Sequence, residues 1–115
     1  MDKNIIVDKS FEFAIRVVNL YKYLCEKKNE YTLSKQLLRS GTSIGANVAE
    51  AQQAQSKADF ISKISIALKE ATETKYWLQL LQAANYLSEN ETKSILDDCT
   101  EIEKILVTIL KTSKQ

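Results

Sequence analysis

The chain has 115 residues, of which 44% are hydrophobic and 27% charged, values that fit one globular domain and exclude a disordered or fibrous chain. Sixteen basic and fifteen acidic residues leave a formal charge of +1, which argues against the positive field of a typical nucleic-acid or membrane-surface binder. The chain has no proline and only two glycines, so the pattern favours helices joined by short connections over a sheet.

The first element in chain order is predicted as a short extended lead over Ile5–Val7, followed by a helix over about 8–28. Asp8 or Ser10 would cap this helix. Its apolar stripe is wide, which indicates several packing neighbours. The stripe comprises Phe11, Ala14, Ile15, Val18, Tyr21 and Cys25, widened by Val17, Leu20 and Leu24.

A second helix is predicted over about 33–55, with Thr32 as its cap. Its apolar residues recur at alternating steps of four and three. A glycine inside a helix costs about 1 kcal/mol relative to alanine, so Gly41 and Gly45 indicate that another helix approaches closely here. The resulting seam consists of Leu37, Gly41, Ile44, Val48 and Ala51.

A third helix is predicted over about 57–87, opened by a capping box in which the Asp59 carboxylate reaches back towards Ser56. Its first half carries one stripe, but nine of the twelve residues in 76–87 are apolar or aromatic and they point in nearly every direction. A small monomer could not bury all of them, so this segment predicts self-association. The predicted interface residues are Tyr76, Trp77, Leu80 and Tyr86.

A second capping box, Ser88 and Glu91, opens a fourth helix over about 89–112. Its heptad seam is Ile95, Cys99, Ile102, Leu106 and Ile109. Four helices with short turns predict one all-α domain over 1–115, an antiparallel up-down-up-down four-helix bundle.

Several kinds of site are excluded by residue type. The chain has no histidine, which excludes histidine-based catalysis and a Glu-x-x-His di-iron site. Cys25 and Cys99 are too few for a zinc site and are expected to be buried free thiols. The apolar run near the start is shorter than a signal peptide needs, and no stretch approaches transmembrane length, so we expect neither a signal peptide nor a membrane span. We therefore expect a cytoplasmic protein that is not an enzyme, holds no metal or cofactor and has no membrane partner.

Six polar residues remain on faces that lean towards the core, and they predict an Arg and Glu network between helices. The network would fix helix register, although a ligand or partner site and an ordinary solvated face are the alternatives. An enzymatic use would require an enclosed cavity beside Glu50 and Glu73. The six residues are Arg16, Arg39, Asn47, Glu50, Glu70 and Glu73.

Three motifs carry a resemblance: SFEFAIRVVNLYKYL at 10–24, QLLRSGTSIGANVAEA at 36–51 and KEATETKYWLQLL at 69–81. They resemble the bacterial four-helix bundle family of proteins encoded in 23S rRNA intervening sequences. The resemblance implies a ring-like homopentamer without established enzymatic activity. A distantly similar protein, the accessory variability protein of diversity-generating retroelements, binds nucleic acid through a strongly basic surface, which a chain of charge +1 lacks.

The sequence thus predicts a non-enzymatic, self-associating bundle whose partner is itself. The alternative is a nucleic-acid or ribonucleoprotein accessory, in which a ring multiplies a modest basic face. Residues 1–39 carry eight basic and five acidic residues, and they supply the candidate contacts. These contacts are Lys22, Lys27, Lys28 and Lys35.

Overall fold

The computed structural model of the chain describes residues 2–115, with side chains from residue 5 onward. Four helices follow one another: α1 (Asp2–Lys28), α2 (Leu33–Ala51), α3 (Lys57–Ala83) and α4 (Glu89–Ser113). Each packs against the helices before and after it, and α1 also packs on α4, so that α1 and α3 lie diagonally across a body measuring 44 × 20 × 20 Å. The predicted all-α antiparallel bundle is confirmed.

The N-terminal segment corrects the sequence analysis. It is helical from Asp2, and Ile6 lies in the core with only 1% of its surface exposed. The predicted extended lead and the caps at Asp8 and Ser10 are therefore wrong. The helix continues through the lead because Ile6, Ser10 and Phe13 lie at steps of four and three and share the inward face.

The inward face of α1 also differs from the predicted stripe. Phe13, Val17 and Leu24 are buried, whereas Phe11 and Ile15, which the sequence analysis placed in the stripe, are exposed. The difference has a cause in α2, where Gly41 leaves the space that Val17 fills. On α2 itself the predicted seam is confirmed, because all five of its residues are buried.

The start of α2 is capped by an unexpected residue. Thr32 makes no side-chain capping bond. Instead the Glu30 carboxylate, only 6% exposed, accepts hydrogen bonds from the backbone N–H groups of Thr32, Leu33 and Ser34 at 2.7–3.2 Å. Asn29 precedes it with φ 54°, a left-handed turn that ends α1.

The later helices begin largely as predicted. Ser88 and Glu91 form a complete capping box. Ser56 accepts from the Asp59 N–H, but the Asp59 carboxylate accepts from the N–H of Gln55, where the sequence analysis expected Ser56. On α4 the seam is as predicted except that Leu110 is buried in place of Ile109.

Two helices end four residues earlier than predicted. α2 stops at Ala51 in a turn in which Gln52 and Gln53 donate to carbonyls three residues back. α3 stops at Ala83 because Asn85 adopts φ 69° and Tyr86 N–H returns to the Leu81 carbonyl, a Schellman-type ending. Tyr86 and Leu87 therefore lie in a turn, where they pack on the core of their own chain.

Candidate interaction surface

The six polar residues of the predicted network do not form one cluster. Arg39 on α2 and Glu73 on α3 meet at 2.9 Å, and Trp77 Nε1 donates to the same carboxylate oxygen at 3.1 Å. Arg16 lies on another side of the bundle, where it pairs with Asp98 of α4. The predicted Arg–Glu contact between α2 and α3 is therefore present, and Arg16 takes no part in it.

The remaining members lie apart from the Arg39–Glu73 contact. Glu50 pairs with Lys63 at 3.1 Å and its side chain is 60% exposed, so its predicted membership of an Arg and Glu network is wrong. Asn47 donates to the carbonyl of Ser43 on its own helix. Glu70 is half-buried, and its Oε1 has no hydrogen-bond partner among residues 5–115.

The buried polar contact between α2 and α3 is one that the sequence analysis missed. Thr74 Oγ1 donates to Ser40 Oγ at 2.9 Å, and neither residue is exposed. Both hydroxyls also lie within bonding distance of backbone carbonyls, Thr74 at 2.8 Å from that of Glu70. The signal that could have predicted this contact is Thr74 itself, a polar residue on the otherwise apolar buried face of α3.

Surface clefts lie along α4, away from Glu50 and Glu73. One cleft between α1 and α4 has a volume of about 150 Å³, and five of the seven residues that line it are charged. The two cations among them are each paired with a carboxylate. Those pairs are Lys9 with Glu101 and Arg16 with Asp98. A polar seam therefore joins α1 to α4, and a third bond from Tyr23 to Glu91 extends it.

Neither cysteine is in a disulfide. Cys99 is buried and lies 3.3 Å from the Ala71 carbonyl, and burial raises the pKa of its thiol to about 12. Cys25 is half-buried next to Ser34. Among the side chains of residues 5–115, those that can bind a metal form no group of three or more suited to an ion. None of the four described helices has the length and apolarity that a bilayer crossing requires.

The predicted interface residues differ in their environments. Tyr76 is 57% exposed, and the Tyr76 and Trp77 rings form a T-shaped contact with centroids 5.1 Å apart. Trp77 and Leu80 are half-buried on the same stretch of α3. Tyr86 packs against the core of its own chain, so less of its surface is available to a partner than the sequence analysis expected.

The four candidate nucleic-acid contacts are all exposed, and they lie at one end of the bundle, where α1 ends and α2 begins. Among the described residues none of them forms an ion pair, and Lys28 lies 5.7 Å from the Tyr23 ring centroid. The same end carries three exposed carboxylates, Glu26, Glu89 and Glu91, which offset most of the positive charge.

The fold and these surfaces define an antiparallel four-helix bundle in which ion pairs join α1 to α4, α2 to α3 and α3 to α4. The family described as 23S rRNA-intervening sequence protein matches residues 2–108, and the chain belongs to that family. A crystal structure of a protein with unknown function from the S23 ribosomal protein family of Bacteroides thetaiotaomicron is 58% identical, with a TM-score of 0.95. The match covers 96% of this chain and 99% of that chain. No curated protein matches the chain.

Proposed function

We propose that the protein is a non-enzymatic scaffold that assembles with copies of itself, and that the assembly is a ring of five. The observation that carries self-association is the exposure of large apolar side chains on the outer faces of α1 and α3, above all Phe11 and Tyr76. Exposed apolar surface beyond scattered single residues is typical of an interaction site. The number five rests on the family resemblance.

The α3 part of this surface is the proposed ring interface. Tyr76, Trp77 and Leu80 lie within about one turn of α3, and burial of a large side chain contributes about 1.5–3 kcal/mol. Several such side chains in a repeated contact would hold copies together at micromolar concentration. The contact of Glu73 with Arg39 and Trp77 would hold the aromatic pair in place.

Sedimentation or light scattering tests the proposal. The wild-type mass should lie well above the 13.1 kDa of one chain, near five times that value for the ring. Tyr76→Glu combined with Leu80→Glu should lower the mass, whereas Lys111→Glu, an exposed change on α4 near the opposite end of the bundle, should leave it unchanged. A monomer at high micromolar concentration contradicts self-association, and a stable dimer contradicts only the ring.

The alternative function is a nucleic-acid accessory, and the grouping of Lys22, Lys27, Lys28 and Lys35 at one end favours it. It predicts RNA binding that weakens with salt, with a logarithmic slope of roughly 0.7 per phosphate contacted for single strands. Replacing all four lysines by glutamine should flatten that slope. Lack of RNA binding by the assembled protein even at low salt contradicts this alternative.

A further inference from the structure

The connection between α1 and α2 presents one aromatic side chain to solvent. Tyr31 lies in this connection, between Lys28, where α1 ends, and Leu33, where α2 begins, and it is 54% exposed. Its hydroxyl donates to Asn29 Oδ1 at 3.0 Å. Because this hydrogen bond ties the tyrosine to the left-handed residue of the turn, the ring is held outside the bundle with an aromatic face open to solvent.

Exposed lysines flank this tyrosine on both sides along the chain. Lys27 and Lys28 occupy the last turn of α1, and Lys35 lies in the first turn of α2. Among the described residues none of the three forms an ion pair. Residues 27–35 contain one acid, Glu30, whose buried carboxylate accepts three backbone N–H groups. The positive charges beside the tyrosine are therefore available to an anion.

The exposed acids at this end of the bundle lie mainly on another part of it. Glu89 and Glu91 belong to the first turn of α4, and α4 packs on α1 and α3 but not on α2. Glu91 is also engaged, since it accepts a hydrogen bond from Tyr23 at 2.6 Å. Glu26 alone is on α1. The end of the bundle is thus divided into a basic part at the α1–α2 turn and an acidic part at the start of α4.

We propose that the α1–α2 turn binds a single strand of nucleic acid, with one base stacked on the Tyr31 ring and the adjacent phosphates held by Lys27, Lys28 and Lys35. The inference rests on the nucleic-acid alternative given above, and it names the form of nucleic acid that this surface takes. An aromatic face beside free cations is the arrangement by which proteins bind unpaired strands of any sequence. Bases inside a duplex stack on one another and offer no free face, so the turn selects unpaired strands.

This site joins no two copies of the chain and leaves the ring of five as it is. A ring would repeat the turn five times, and a long strand that reaches several turns would gain avidity. A short strand that reaches one turn therefore isolates the contact of a single tyrosine.

Fluorescence anisotropy at low salt tests the stacking contact, with a short labelled oligouridylate and an RNA duplex of the same length as probes. The full chain should bind the single strand more tightly than the duplex. Tyr31→Ala should weaken single-strand binding by roughly 5- to 150-fold, the loss expected when one stacked aromatic side chain is removed. Tyr31→Phe keeps the ring and should retain most of the affinity. Gln53→Ala, an exposed change in the turn at the opposite end of the bundle, is the control and should bind like the wild type.

The salt dependence separates the ring from the lysines. Tyr31→Ala should leave the salt slope unchanged, because the phosphate contacts remain. Lys27→Gln combined with Lys35→Gln should lower the slope by roughly 1.4, since each phosphate contact on a single strand contributes roughly 0.7. Light scattering on Tyr31→Ala should give the wild-type mass, which shows that its weaker binding does not come from loss of the assembly.

Three outcomes overturn the inference, and they are distinguishable from failure of the proposed function. Wild-type affinity in Tyr31→Ala, or equal affinity for strand and duplex, rules out stacking and leaves the nucleic-acid alternative standing. An equal loss in Tyr31→Phe and Tyr31→Ala assigns the contact to the hydroxyl and removes the stacked base. A wild type that binds neither probe removes the alternative and this inference together and leaves self-association intact.

Discussion

Gly41 of α2 lies directly against Val17 of α1: a Cβ at Gly41 would be 2.7 Å from both γ carbons of Val17. The helices therefore meet here without room for a side chain on α2. Gly41→Leu should destabilise the fold by about 1–3 kcal/mol or more, because Val17 and its helix must move. Chemical unfolding measures this loss.

Gln36→Leu is the control for that substitution, because it adds the same side chain at an exposed position of the same helix. It should change the unfolding free energy by less than about 0.5 kcal/mol. An unfolding midpoint that is unchanged or raised in Gly41→Leu would contradict the close helix contact.

The same pair explains which parts of the fold the sequence could predict. α2 has one apolar face, so its period alone identified the buried seam. α1 has two, one with Phe13 and Val17 and one with Phe11 and Ile15, and apolarity cannot choose between them. The choice depends on Gly41 receiving Val17, a relationship between residues 24 positions apart that no local pattern contains.

The polar contacts were less predictable for a related reason. Sequence spacing identifies which residues share a helix face, and this was enough to anticipate Arg39 with Glu73. Sequence spacing does not give the axial offset between two packed helices, so Lys63 was missed as the partner of Glu50. The sequence analysis named Thr32 as the cap of α2 and missed Glu30, because the capping role of Glu30 depends on the left-handed conformation of Asn29 before it.

The pair of hydroxyls between α2 and α3 gives a second prediction. Thr74→Val keeps the shape of the side chain but leaves the buried Ser40 hydroxyl without its Thr74 partner, which should cost about 1–3 kcal/mol. The exposed Glu50–Lys63 pair is the comparison, and Glu50→Ala should cost less than about 1 kcal/mol. Unfolding free energies in the reverse order would contradict the burial described for the two contacts.

The cysteines should differ in reactivity. Burial raises the pKa of Cys99 to about 12, so almost none of this thiol is ionised at pH 8 and no reagent reaches it in the folded chain. Alkylation followed by mass spectrometry should give one adduct, at the half-buried Cys25, in buffer and two in denaturant. Two adducts at equal rates in the folded protein would contradict the packing around Cys99.

Glu30 gives a prediction about pH. Burial alone would raise the pKa of this carboxyl, but the backbone N–H groups of Leu33, Ser34 and Thr32 together hold it below the usual value of 4.5. A carboxyl whose pKa is lower in the folded chain stabilises the fold above its unfolded pKa, and the contribution disappears as the pH falls through the folded pKa. The cap should therefore be at full strength at pH 7 and weaken below about pH 4.5.

Glu30→Gln tests both the cap and its pH dependence. The amide keeps one oxygen acceptor but loses the charge that favours the start of α2, so the variant should lose about 1–3 kcal/mol at pH 7. The difference in unfolding free energy between wild type and variant should shrink steadily as the pH is lowered from 5 to 3. Glu26→Gln, an exposed change in the last turn of α1, serves as the control and should change the unfolding free energy at pH 7 by less than about 0.5 kcal/mol. A Glu30→Gln difference that stays constant across this range would mean that the carboxylate charge does not contribute to the cap.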